Sequence, residues 1–220
     1  MHQEQRTRAQ ELLAAHQIRQ ALFGDPATIK WLTGFAPPIQ LGSTLFAGGP
    51  PLLWVDDGHF TLIVLDGLQG AAAAFAEQPN CDIVTYQGYT IAEAIDGPRH
   101  LAAALQATLG ATPLAGKIGV ERQSLTLFLA SLLEDHSPRA NWTAIDHWFV
   151  PLRAVKTDEE LAKLQRNFDL VAVGHRAARE AIRPGVREID VWTEIHSAVE
   201  REAGFRGSAG QRLYCGLSGI

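Results

Sequence analysis

Residues 153–185, RAVKTDEELAKLQRNFDLVAVGHRAAREAIRPG, decide how the rest of the chain is read. Thr157 and Glu160 form a Thr-x-x-Glu capping box just before an apolar periodic run. Asp158, Glu159 and Glu160 place negative charge in the first turn, where the unpaired N–H groups of a helix favour it. Leu161, Leu164, Phe168, Val171, His175, Ala178 and Ile182 then recur at spacings of 3 or 4, which predicts one buried stripe on a helix. Pro184-Gly185 ends it. At 1.5 Å per residue such a helix is on the order of 37 Å long. An apolar side of that length calls for a large partner surface, and the roughly 35 residues that follow are too few to supply one alone.

Upstream, short apolar runs alternate with amphipathic ones. Residues 11–18 read as a helix and residues 21–23 as a strand stopped by Gly24-Asp25. Asp25-Pro26 is a helix start, with an N-cap and a proline at the first position, and that helix ends at the turn of residues 31–35. Residues 36–49, APPIQLGSTLFAGG, form a Pro- and Gly-rich loop with apolar residues in it, either a surface connection or a ligand-side lid. Apolar runs at 52–55 and 60–65 are joined by Asp56-Asp57-Gly58-His59, a hairpin signal. Helices are predicted at 69–77, 98–109 and 124–134, the last with Ser124 as N-cap, and strands at 83–86, 117–121 and 142–145. Strands alternating with helices, plus one hairpin, predict an α/β domain whose mixed sheet is covered by helices. The domain boundary is placed near Val150, giving domains 1–150 and 151–220. Residues 187–203 make a second helix, with Ile189, Trp192, His196, Val199 and Ala203 on one face and Gly204 as its stop. Residues 211–217 begin a strand.

Composition narrows the function classes. Hydrophobic residues at 46% and charged residues at 20% describe an ordinary globular chain able to bury a core. A net charge of −5 with no basic run argues against a nucleic-acid or acidic-membrane partner. Cys81 and Cys215 lie far apart, which speaks against a disulfide framework and for a reducing cytoplasm. Residues 1–6 lack the apolar core of a secretory signal, and no apolar run approaches the length of a membrane span.

Three motifs, taken together, carry a resemblance. They are Trp31-Leu32-Thr33-Gly34-Phe35, Ile118-Gly119-Val120-Glu121, and Arg153-x-x-Lys156-Thr157-x-Glu159-Glu160 followed by a long helix and Arg183-Pro184-Gly185-x-x-Glu188. In this order they cover most of the chain, and they resemble the pita-bread metallohydrolases, the aminopeptidase P, prolidase and creatinase relatives. The resemblance implies a creatinase N-terminal-like domain followed by the first helices of an α+β pita-bread catalytic domain. Arg187 departs from the pattern, because the family usually has a Thr-like cap there, and this weakens the start of the second helix.

Local chemistry motifs are missing. The sequence has no phosphate-cradling glycine loop, no His-Glu-x-x-His and no Cys-x-x-Cys, and Gly216-Leu217-Ser218-Gly219 lacks the spacing of a nucleophile elbow. Asp56 and Asp57 fit a turn better than a metal site, since adjacent strand residues point to opposite faces, and His59 fits a solvated turn. His175 and His196 each sit on an apolar stripe and read as packed core histidines; facing each other they would make at most a soft, adventitious metal site.

The resemblance accounts for these gaps. Such enzymes hold two divalent ions (Mn, Co or Zn) with two Asp, one His and two Glu, and the ions polarise a scissile carbonyl and deliver a bridging hydroxide. Those ligands belong to strands after the two helices seen here, so no metal or catalytic residue is carried over to residues 1–220, and the chain is expected to be an N-terminal portion of a longer enzyme. The implied activity is a Xaa-Pro aminopeptidase or dipeptidase acting on short peptides as a homodimer. The alternatives are a creatinase-like C–N hydrolase and a catalytically inactive module that binds proteins. In dimeric relatives the N-terminal domain narrows access to the partner's active site. Trp31, Phe35, Leu41 and Phe46 are the matching substrate-access candidates here, although Trp31 and Phe35 also read as core aromatics anchoring their turn.

Overall fold

The computed structural model describes residues 2–36, 49–88, 90, 92, 96–110 and 114–204. The chain divides into two compact units, Met1–Ala154 and Val155–Ile220. The boundary placed near Val150 falls at the start of a short helix that the first unit includes.

The first unit runs α1 (Gln3–Ala15), β1 (Gln20–Phe23), α2 (Pro26–Thr33), β2 (Leu52–Asp56), β3 (His59–Leu65), α3 (Gln69–Ala76), β4 (Cys81–Tyr86), α4 (Gly97–Leu109), β5 (Gly116–Val120), α5 (Leu127–His136), β6 (Ala140–Ala144) and α6 (Val150–Ala154). The strands form a single sheet in the order β4-β3-β2-β1-β5-β6. β2 is antiparallel to both β1 and β3, while β1–β5, β5–β6 and β3–β4 are parallel pairs, so β2 alone runs against the rest. The β2–β3 turn has positive φ at both Asp57 (48°) and Gly58 (91°), the geometry whose twist matches a tight hairpin.

Successive strand residues point to opposite faces, and both faces here are covered. Phe23, Leu53, Val55, Leu62 and Val64 join Leu13, Ile29, Leu32 and Phe75 of α1, α2 and α3 in one core. Leu22, Leu52, Trp54, Ile63 and Val120 join Leu101, Leu105, Leu129 and Leu133 of α4 and α5 in the other. That is why Leu52 to Val55 are unbroken apolar sequence rather than alternating.

Two helix starts differ from the sequence expectation. α1 begins at Gln3, well before residue 11, and Gln17 with φ 59° lies just past its end. Its first buried side chains are polar: Arg6 Nη1 donates to Leu32 O (3.2 Å) and Nη2 to Gln78 Oε1 (2.8 Å), so hydrophobic periodicity could not reveal them. α5 begins after Thr126, whose hydroxyl accepts from Leu129 N (3.3 Å), because residues Arg122–Ser124 form a 3-10 turn instead.

The second unit contains α7 (Asp158–Ala181) and α8 (Glu188–Ala203). The capping box is formed: Glu160 N donates to Thr157 Oγ1 (3.3 Å) and Thr157 N to Glu160 Oε2 (2.8 Å). Arg187 stands at the N-cap of α8 without a side-chain cap bond, as the missing Thr-like residue implies, and Gly204 ends the helix at φ 77°. The stripe of α7 finds too little partner surface, as its length against the residues that follow implies: Leu161, Phe168, Val171 and Ile182 are exposed, and so is His175, which corrects its reading as a packed core histidine. α7 instead meets α8 on another side, at Gly174, where a Cβ would stand 3.2 Å from Val199 Cγ2. The large surface that the stripe calls for is not among the described residues of this unit.

Candidate functional site

β1 is the strand from which the sheet grows both ways, with β2 on one side and β5 on the other. In sheets of this kind the crevice outside the C-terminal ends of parallel strands, where the order turns, is the usual place for a ligand. Here Glu121, the residue after β5, fills that place. Its backbone N donates to Leu22 O (3.1 Å), and its side chain is 2% exposed. Oε2 accepts from Gly24 N (3.0 Å) and Asp25 N (2.8 Å), and Oε1 lies 2.8 Å from Thr28 Oγ1. β5 can sit beside β1 and β6 because residue 119 is glycine: a Cβ there would be 3.3 Å from Ala21 Cβ and 2.9 Å from Ile145 Cδ1.

Asp25 caps α2, accepting from Ala27 N (3.2 Å) and Thr28 N (3.3 Å). Arg153, near the end of α6, reaches Asp25 Oδ2 (3.0 Å) and Thr28 Oγ1 (3.2 Å) with Nη1. Four side chains from the end of β5, the start of α2 and the end of α6 thus share one cluster. Burial pushes the Glu121 carboxyl up to about 7; bonds from Asp25 N, Thr28 and Gly24 N oppose the rise, and the Asp25 charge adds to it. For Asp25 burial acts upward too, but the bonds from Arg153, Ala27 N and Thr28 outweigh it and hold the carboxyl below its ordinary range. The Thr28 hydroxyl is buried and engaged by both carboxyls; what the cluster can do is hold three elements together and keep a proton.

The residues singled out in the sequence fall in several places. Trp31 and Phe35 are buried in the core of the first unit. The Trp31 ring lies 6.4 Å from Phe149, and its Nε1 has no hydrogen-bond acceptor among the described residues. Phe35 N donates to Thr33 Oγ1 (3.0 Å) after Gly34 turns the chain at φ 77°, a conformation natural to glycine. In this unit both aromatics therefore anchor the turn. Leu41 and Phe46 lie outside the described residues.

Asp57 is ion-paired with Arg19, Asp56 accepts from Gln20 Nε2 (3.0 Å), and His59 Nε2 is 2.8 Å from Asp82 Oδ2. His175 is exposed, while His196 is buried with its ring 3.9 Å from that of Trp192. Among the described residues no three His, Cys, Asp or Glu come together in a way that could hold a metal ion. The sequence reading missed the cluster of Asp25, Thr28, Glu121 and Arg153. The available signal was a carboxylate ending an apolar strand with no local partner, a residue type that is rarely buried unless something satisfies it.

Comparison with known proteins places this arrangement. Over 88 residues the chain is 31% identical to the creatinase of Bacillus sp. (strain B-0618), a match covering 40% of this chain and 21% of that protein. The fold is similar to the Xaa-Pro dipeptidase from Bacillus anthracis, with a TM-score of 0.63 and 17% identity, over 92% of this chain and 50% of that one. It is also similar to the X-Pro aminopeptidase from Thermotoga maritima MSB8, with a TM-score of 0.66 and 15% identity, over 90% and 49%. The chain thus spans about half the length of these solved relatives, and at such identities the likeness speaks for the fold. Residues 5–155 match the Creatinase/Prolidase N-terminal domain, with its mixed sheet between helices, and the chain belongs to that family.

Proposed function

We propose that this chain is the N-terminal part of a metal-dependent hydrolase of the Xaa-Pro aminopeptidase or dipeptidase type. The first unit serves dimerisation and covering of the active site, and the second opens the catalytic domain. The observation that carries this reading is the fold match running through nearly the whole chain onto half of an Xaa-Pro dipeptidase. The exposed apolar side of α7 supports it, because a catalytic sheet is the kind of surface that would cover it. Two divalent ions (Mn, Co or Zn) held by residues outside this chain would polarise the scissile carbonyl and supply hydroxide. Residues of this chain contribute walls: the loop 36–49 has no charged residue and is mostly apolar or small, which suits the proline side of a short peptide. The protein is proposed to act as a cytoplasmic homodimer. No helix of the described residues is long and apolar enough to cross a membrane.

A second reading, a creatinase-like C–N hydrolase, is favoured by the 31% identity to creatinase. The two are separated by assaying a protein that carries this chain together with a catalytic unit, against Xaa-Pro dipeptides and creatine with Mn, Co or Zn. The first reading expects Xaa-Pro turnover that a chelator abolishes and no turnover by the 220-residue chain alone. Turnover of creatine alone selects the second reading. Leu41→Ala should raise KM for Xaa-Pro by a factor equivalent to about 1–3 kcal/mol, the worth of one buried apolar contact. Unchanged Xaa-Pro kinetics would remove the lid role of that loop.

A further inference from the structure

Three polar atoms stand around Thr28 Oγ1: Glu121 Oε1 at 2.8 Å, Asp25 Oδ2 at 3.0 Å and Arg153 Nη1 at 3.2 Å. A hydroxyl has one proton to give and two lone pairs to receive with. Arg153 can only donate, so it takes one lone pair. Two carboxyl oxygens remain. If both carboxyls are ionised, both compete for the single hydroxyl proton, and one oxygen–oxygen contact is left with no proton in it. If one carboxyl is protonated, every contact becomes a hydrogen bond. That carboxyl donates to Thr28, Thr28 donates to the other carboxylate, and Arg153 fills the second lone pair.

The surroundings decide which carboxyl holds the proton. Asp25 receives the Arg153 guanidinium and two backbone N–H groups, all of which favour the carboxylate. Glu121 has no cation against it among the described residues and is almost wholly buried. Both of its backbone donors point at Oε2, which leaves Oε1 to carry a proton toward Thr28.

We propose that Glu121 is protonated in the folded chain and that its proton closes a latch, Glu121–Thr28–Asp25–Arg153, which loosens as the solution turns alkaline. The rise of the Glu121 carboxyl to about 7 agrees with the proton count. Other titratable groups on neighbouring elements are engaged elsewhere. Arg122 donates to Trp142 O, Asp146 accepts from Gln123 N, and His147 Nε2 lies 3.1 Å from Gln123 Oε1. Lys30 sits in the last turn of α2, away from the capped end. Asp25 and, through it, Arg153 are therefore the charges that Glu121 faces. Loss of the proton sets a second negative charge beside Asp25 and makes both carboxylates compete for Thr28. The grip on Arg153 then weakens, two residues before the first residue of the second unit, Val155.

The sign follows from linkage. The folded value lies above the ordinary glutamate value of 4.5, so the folded chain binds the proton more tightly than the unfolded one. The stabilisation is complete below about 4.5 and is lost as pH rises through about 7.

The test uses the 220-residue chain with carbon-13-labelled Glu side chains, titrated by NMR from pH 4 to 9. Glu121 is expected to titrate near 7. In urea unfolding the folded-to-unfolded ratio should fall on the order of a hundredfold between pH 4.5 and 8. In Glu121→Gln that slope should vanish, because an amide can donate to Thr28 and accept from Gly24 N and Asp25 N as the protonated acid does. Amide exchange in α6, corrected for intrinsic pH dependence, should accelerate above pH 7 in the parent chain and not in Glu121→Gln. A Glu121 midpoint below about 5 would overturn the protonation, and it can be read on the unsubstituted chain even if the variant does not fold. A slope shared by parent and variant would also overturn it. Titration near 7 with pH-independent protection of α6 would overturn the latch.

Discussion

α4 and α7 carry apolar residues at the same helical spacing and meet opposite fates. On α4, Leu101, Leu105 and Leu109 are 2%, 0% and 7% exposed. On α7, Leu161, Phe168 and Val171 are 51%, 64% and 45% exposed. α4 is the more apolar helix, but α7 has the better N-terminal cap. The difference lies in what each unit offers. The first unit gives α4 a sheet face of Leu22, Leu52, Trp54 and Ile63, whereas α8 is the described partner of α7 and takes the side where Gly174 permits close approach. A periodic stripe states that a helix has an apolar side; it does not supply the surface that buries it.

The strongest test of this contrast is hydrogen exchange. Amides of β2 and β3 should exchange only through global unfolding, while those from about Leu161 onward should open far more easily, a gap of about 5 kcal/mol or more in opening free energy. Uniform protection along a dilute monomer would break the comparison.

Side-chain truncation should show the same asymmetry. Phe23 is fully buried, with its ring edge-on to Phe149 at 5.2 Å, and Phe23→Ala should cost about 3–5 kcal/mol in denaturant unfolding. A loss below about 1 kcal/mol would mean that the core relaxes around the cavity.

The two helix caps sharpen the comparison at smaller scale. Asp25→Ala removes a cap and strips Arg153 of its carboxylate, and should lower the global unfolding free energy by about 1–2 kcal/mol at neutral pH. Because the Asp25 carboxyl is held below its ordinary range, its share of stability is present above the unfolded value and lost as pH falls through the folded one; the loss on Asp25→Ala should therefore shrink in acid. Thr157→Ala should cost about 1 kcal/mol in the first turn of α7, read as faster local exchange with no shift in the unfolding of the sheet.

The smallest effect is expected on the exposed stripe. Phe168→Ser with Val171→Ser should change the unfolding free energy by no more than about 0.5 kcal/mol while reducing dye binding and self-association. A large loss of stability would show that the stripe is covered in solution.

Much of the fold was legible because its signals are local. The Asp57-Gly58 turn, the Asp25 and Thr157 caps and the stop at Gly204 all act within a few residues. The start of α1 was not legible, because its first buried side chains, Gln5 and Arg6, are polar, and Arg6 depends on Leu32 O and Gln78, which are distant in sequence. Of the access candidates, Trp31 and Phe35 could be placed at a turn but not assigned to core or surface, since an aromatic residue beside a Gly-rich loop suits either.

The sequence by itself determined the alternation of strands and helices, the hairpin, the caps and the apolar side of α7, because each depends on neighbours closer than one or two turns of chain. Only the tertiary structure decided which side of α7 meets α8, and that Asp25, Thr28, Glu121 and Arg153 meet at the C-terminal ends of β1 and β5. Those four residues are brought together from separate elements by the parallel pairing of β1 with β5. Whether a carboxyl keeps its proton depends on the water, cations and N–H donors around it, and those surroundings exist only once the sheet has formed.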